Sequence, residues 1–149
     1  MIPKAPTPDL IGGWTPVFEF TAPNKKNRMI SIVDDDAAVR QATEALVRSL
    51  GYRAVSFASA EEFLGSDRLQ ETSCLITDLQ MSGMTGIELQ RQLNASGQHC
   101  PVIVVTGSRD AGLRARAFAA GAVGVLGKPF SDEMLIASLD VALGADRAA

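Results

Sequence analysis

Ser73-Cys74-Leu75-Ile76-Thr77 followed by Asp78 is the stretch that decides the fold of this chain. Its apolar and β-branched side chains suit a strand. An apolar run without polar alternation marks a strand covered on both faces, as parallel strands are. A carboxylate closes it. Working outward, Met29-Ile30-Ser31-Ile32-Val33 reads the same way and closes with Asp34-Asp35-Asp36, while Pro101-Val102-Ile103-Val104-Val105 closes with Thr106. Arg53 to Phe57 and Val123-Gly124-Val125-Leu126 complete five strands, the last leading into Lys128-Pro129.

Helices fill the gaps. Val39, Ala42, Leu46 and Leu50 recur at helical spacing over Ala37 to Leu50, and Gly51 sits where a helix ends. Ser59 with Glu62, and Thr85 with Glu88, are capping-box patterns opening the second and third helices; Gly97 stops the third. A fourth helix is expected from Asp110 to Ala120, stopped by Gly121. Ser131 caps a fifth, whose Asp132 and Glu133 suit its positive end and which is expected to finish near Leu143. Five strand–helix units imply an α/β fold, a doubly wound parallel sheet with helices on both faces and right-handed crossovers. Chemistry in such sheets lies at the carboxyl ends of the strands.

The 149 residues, 46% of them hydrophobic, suffice for one domain with a proper core. Seventeen acidic against fourteen basic residues give a net charge of −3, which argues against binding nucleic acid through bulk charge. No apolar run spans a bilayer and no signal-peptide pattern opens the chain, so a soluble, cytoplasmic protein without membrane contact is expected. Cys74 and Cys100 begin neighbouring strands and read as reduced thiols; His99, the lone histidine, reads as a solvated turn residue. Five of the seven prolines fall in the first 23 residues, which sets residues 1–28 apart as a partly ordered extension from a domain over 29–144 and a short tail over 145–149. The extension carries Trp14, Phe18 and Phe20, unlike a plain linker, and Thr15 to Phe20 alternates like an edge strand. Two readings stay open: docking on its own domain or on a second copy in a homodimer, and an arm without function.

At the strand ends, Asp34, Asp35, Asp78, Thr106 and Lys128 share one rim of the sheet. Two carboxylates 4 Å apart repel by about 4 kcal/mol at an effective dielectric of 20. Three cannot all stay ionised there without a counter-charge. Oxygen ligands with room for water suit Mg²⁺, and Lys128 adds a point charge. With the Thr106 hydroxyl, this set would hold a tetrahedral dianion on one carboxylate, as in phosphoryl transfer to an aspartate nucleophile.

The segment 29 to 143 resembles a response-regulator receiver domain of two-component signalling. The matching pieces are Ile32-Val33-Asp34-Asp35-Asp36, Leu75 to Met81 around Asp78, Met84-Thr85-Gly86, Val104-Val105-Thr106-Gly107, and Ala120-Gly121-Ala122 through Lys128-Pro129-Phe130. The surroundings of Val39-Arg40 and the last stretch are nearest the FixJ-like branch. The resemblance implies the flavodoxin-like strand order 2-1-3-4-5. It implies that Asp78 takes the phosphoryl group from a phosphohistidine on a histidine kinase or histidine phosphotransfer protein. Asp35, Asp78 and the backbone carbonyl of Gln80 would bind Mg²⁺ directly, and Asp34 through water. Thr106 would contact a phosphoryl oxygen and move on activation. Lys128 would pair with another and precede a cis peptide bond to Pro129. Asp36 would only face solvent.

Three departures stand out. Ser82 replaces a frequent proline, so a looser loop is expected. Val125 replaces a frequent aromatic at the switch position paired with Thr106. Gln80 and Ser108 occupy positions that tune phosphoryl lifetime. The expected function is a phosphoacceptor that passes a conformational change to a protein target, not an enzyme in the usual sense and without direct nucleic-acid contact. The alternatives are a receiver belonging to a DNA-binding regulator and a pseudo-receiver independent of phosphate. The second would lack Asp78, Lys128 or the acidic pair. A phosphatase with an aspartyl nucleophile would want a carboxylate where Gln80 stands.

Overall fold

A computed structural model describes residues 25–148. The expected edge strand at Thr15 to Phe20 therefore lies outside the described residues. The elements alternate as the apolar runs require: β1 (Met29–Val33), α1 (Ala37–Ser49), β2 (Arg53–Phe57), α2 (Ala60–Leu64), β3 (Thr72–Asp78), α3 (Gly86–Ala95), β4 (Val102–Thr106), α4 (Ala111–Ala119), β5 (Gly124–Gly127) and α5 (Asp132–Ala148). A 3-10 turn at Lys25–Asn27 precedes β1 and another at Leu69–Glu71 precedes β3. The five strands are parallel and ordered β2-β1-β3-β4-β5, the order implied by the resemblance.

Alternation along the strands divides the core in two. Ile30, Ile32, Cys74, Ile76, Ile103 and Val105 meet Val47 of α1 and Leu135, Leu139 and Leu143 of α5. Val33, Leu75, Val102 and Val104 meet Phe63 of α2, Ile87, Leu89 and Leu93 of α3, and Ala117 of α4. Both faces of the sheet are thus closed, which explains the apolar strand runs.

Several local signals form as expected. Thr85 and Glu88 make both bonds of a capping box on α3, and the Met134 N–H donates to Ser131 Oγ at the start of α5. Gly51 takes φ 100° after α1, a conformation that strains any side chain. Others differ. At α2 only half of the capping box forms: the Glu62 N–H donates to Ser59 Oγ, but the Glu62 carboxylate accepts from Ala58 N–H instead of Ser59 N–H. In α1 the buried residues are Thr43 and Val47, while Val39 and Leu46 are half-buried and Ala42 is exposed. Thr43 and Val47 are thus the side of α1 that the structure buries. Thr43 fits inside because its hydroxyl donates to the Val39 carbonyl. α5 also passes its expected end at Leu143 and runs to Ala148. Ala145, Asp146, Arg147 and Ala148 contain no helix breaker, and Gly144 alone costs only about 1 kcal/mol.

Candidate phosphoacceptor site

Strand order decides which residues meet. β1 and β3 are neighbours with Val33 opposite Thr77, so the next residues, Asp34 and Asp78, emerge side by side. β4 pairs with β3 and β5, with Asp78 opposite Val105 and Thr106 opposite Gly127, which brings Thr106 and Lys128 to the same rim. Thr106 is the last residue of β4 and wholly buried; its carbonyl accepts from the Lys128 N–H at 2.8 Å and its Oγ1 accepts from the Ser108 N–H at 3.0 Å. The Lys128–Pro129 peptide bond is cis, in agreement with expectation.

One carboxylate oxygen from each of Asp34, Asp35 and Asp78 lies within 4.8 Å of the others. Asp34 and Asp78 are buried and Asp35 is exposed. Lys128 Nζ bridges the two buried ones, 2.9 Å from Asp34 Oδ2 and 3.3 Å from Asp78 Oδ2. Burial pushes the Asp78 carboxyl above its ordinary value of 3.8; the Lys128 charge opposes this, Asp34 adds to it, and the Lys128 and Gln80 N–H hydrogen bonds oppose it. For Lys128, burial favours the neutral amine, yet the Asp34 hydrogen bond and the two carboxylate charges outweigh it and raise the pKa above 10.5. One ammonium against three carboxylates leaves an excess of two negative charges. An all-oxygen donor set with that excess fits a small divalent cation.

Surrounding contacts hold this geometry. The Asp36 N–H donates to Asp34 Oδ1 at 2.9 Å. Asp36 itself does more than face solvent: its Oδ1 accepts from Ala38 N–H and Val39 N–H and caps α1. Ser82 N–H donates to Asp35 Oδ2 at 3.2 Å, a bond a proline could not make, so the loop expected to be looser has its own tie to the acidic cluster. Glu61 Oε2 accepts from the Met84 N–H and anchors the same loop to α2. Arg40 Nη1 donates to the Asp34 carbonyl at 2.8 Å. Glu61 was not singled out from the sequence, and Arg40 only as part of the family resemblance. Exposed-looking charges on helices carry no local mark of reaching a loop many residues away.

Val125 is half-buried on β5 against the core formed with α3 and α4, and Arg114 of α4 lies over Gly127, its Nη2 donating to the Ser108 carbonyl. Cys74 and Cys100 are free thiols; burial pushes Cys74 strongly up and Cys100 to about 11, so both are protonated at neutral pH. Among the described residues, no helix is long and apolar enough to cross a membrane.

Comparison with known proteins agrees with this arrangement. Residues 30–140 match the response regulator receiver domain. The response regulator protein TmoT of Ectopseudomonas mendocina is 39% identical over 120 residues, covering 80% of this chain and 54% of that protein. The transcriptional regulatory protein FixJ of Azorhizobium caulinodans is 39% identical over 115 residues, covering 77% and 54%. Among solved structures, the amino-terminal domain of FixJ superposes with a TM-score of 0.71 at 34% identity, covering 77% of this chain and 92% of that one. A response regulator receiver protein from Burkholderia phymatum gives 0.68 at 43% identity, covering 78% and 95%. The chain therefore belongs to the response regulator receiver family. It spans about half the length of the curated relatives it matches.

Proposed function

We propose that Asp78 is the phosphoacceptor of a two-component relay, and that a histidine kinase or a histidine phosphotransfer protein supplies the phosphoryl group. The observation that carries this reading is the buried pair Asp34 and Asp78 bridged by Lys128, with Asp35 in reach of the same point. In the transfer, the P–N bond of the phosphohistidine breaks as a P–O bond to an Asp78 carboxylate oxygen forms. The released electron pair stays on the imidazole, which takes up a proton. Asp35, Asp78 and the Gln80 carbonyl would hold Mg²⁺ directly and Asp34 through water; the ion would neutralise charge shared by the carboxylates and the phosphoryl oxygens. Lys128, now held by Asp34 and Asp78, would turn one donor to a phosphoryl oxygen. The Thr106 hydroxyl would supply another hydrogen bond.

These charge-assisted contacts exist only with the phosphoryl group present, so they bias a two-state equilibrium of the rim. Thr106 is the moving part. Val125 lacks a ring to follow it inward, and the change would pass to a protein target through the backbone around Gly107 and Gly127. A second reading rests on the relatives: FixJ is named as a transcriptional regulator and is about twice as long as the matched segment, so this receiver would govern a DNA-binding partner domain.

Incubation with Mg²⁺ and a small phosphodonor such as acetyl phosphate, followed by intact mass measurement, tests the proposal. One phosphoryl adduct on the wild type, absent from Asp78→Asn, is expected. An adduct that survives in Asp78→Asn, or none in the wild type, overturns it.

A further inference from the structure

Ser108 has its N–H, its hydroxyl and its carbonyl all engaged. The N–H donates to Thr106 Oγ1 at 3.0 Å, Oγ accepts from the Asp110 N–H at 3.1 Å, and the carbonyl accepts from Arg114 Nη2 at 3.5 Å. Asp110 is the cap of α4, its Oδ1 accepting from the Gly112 and Leu113 N–H groups, and Arg114 follows one turn along the same helix. One residue therefore joins the buried Thr106 hydroxyl to the start of α4. The Arg114 guanidinium reaches it across β5. A Cβ on Gly127 would stand 3.0 Å from Nη2, so the guanidinium lies where a side chain at 127 would crowd it. Gly127 is opposite Thr106 in the sheet and precedes Lys128 in the chain. Arg114 is half-buried, and among the described residues no carboxylate pairs with it.

A guanidinium held by one long hydrogen bond and no ion pair is lightly tied and releases at small cost. On the phosphoacceptor reading, on which this inference rests, the Thr106 hydroxyl turns to a phosphoryl oxygen. The same Oγ1 accepts from the Ser108 N–H, so its shift displaces Ser108 and carries the carbonyl away from Arg114. Val125, two residues back on the same face of β5, is aliphatic and makes no hydrogen bond, so Arg114 is the polar link between this strand and α4. We infer that Arg114 is the positioning residue of the switch. It holds α4 to Ser108 while Asp78 is unmodified and frees the helix when phosphorylation draws Thr106 away. The helix so freed carries Phe118, whose ring is 52% exposed, on its outer side. Coupling of this kind runs through a contiguous set of bonds with two arrangements, made and released.

Amide hydrogen exchange over residues 110–120 of the full chain, read by mass spectrometry, tests this. Arg114→Met keeps the apolar stem and removes the donors. In the unmodified protein this variant should exchange those amides several-fold faster than the wild type, while α1 and α3 keep their rates. Mg²⁺ and acetyl phosphate, with the adduct verified by intact mass, should raise the wild-type rate to a similar level and leave the Arg114→Met rate where it was. Arg116→Met, at an exposed position of the same helix, should behave as the wild type in both states. A residue that merely stabilised α4 would speed exchange in both states and leave the effect of phosphorylation intact. That outcome overturns the inference, as does an Arg114→Met variant that exchanges like the wild type. A wild type that takes up no phosphoryl group sinks the phosphoacceptor reading and this coupling together. A phosphorylated wild type with unchanged α4 exchange sinks the coupling alone.

Discussion

Asp78 and Lys128 pull against each other, and the balance can be measured. The folded protein raises the Asp78 pKa, so ionising this carboxyl costs more in the fold than in the unfolded chain. Its contribution to stability is whole below about pH 3.8 and is lost as pH rises through the raised value. Asp78→Asn should therefore melt a few degrees above the wild type at neutral pH without Mg²⁺, at about 3 °C per kcal/mol for this size, and the gap should close in acid. Thermal melts across pH check both statements. Lys128 has the opposite charge and the opposite role. Its raised pKa makes its contribution whole below about pH 10.5 and lost above it. Lys128→Met leaves two buried carboxylates without their bridge and should cost about 3 kcal/mol. Mg²⁺ should restore more stability to that variant than to the wild type, read as the metal-induced change in Tm. Both residues were legible from the sequence as rim residues. The contact of Lys128 with Asp34 was not, because it joins positions 94 residues apart.

At the scale of elements, α3 and the loop before it position Asp78. The Gly86 N–H donates to the Leu79 carbonyl, and a Cβ on Gly86 would stand 2.5 Å from the Asp78 carbonyl oxygen. Both contacts are with backbone, which cannot swing aside. Gly86→Ala should cost about 1–3 kcal/mol and lower the yield of phosphorylated protein, measured by denaturant titration and intact mass. Thr85→Ala removes the side-chain half of the α3 capping box and should cost about 1 kcal/mol without disturbing Asp78. Capping signals were legible where the partner lies three residues away, as at Thr85 and Ser131. The burial of α1 was not: Val39, Ala42, Leu46 and Leu50 mark a helix, but the side it buries holds Thr43 and Val47, which only its packing on the strands decides.

For the whole molecule, a cation held by the acidic cluster as proposed would couple metal binding to the stability of the fold. A cation bound only by the folded chain adds RT ln(1 + [L]/Kd), about 2.7 kcal/mol at one hundred times Kd. Protons compete for the same oxygens, so the Mg²⁺-induced rise in Tm should grow between about pH 4 and about pH 7. A rise independent of pH would place the ion elsewhere. Exchanging Asp34 for Asn should reduce the rise, since one of three converging carboxylates is lost.

The order of strands and helices and the residues at the strand ends were determined by the sequence alone, because apolar runs, caps and closing carboxylates are local patterns read within a few residues. Only the tertiary structure decided that Lys128 bridges Asp34 and Asp78 and that Ser82 ties the loop to Asp35. Each depends on the placement of elements far apart in the chain, and packing sets that placement once the sheet has closed.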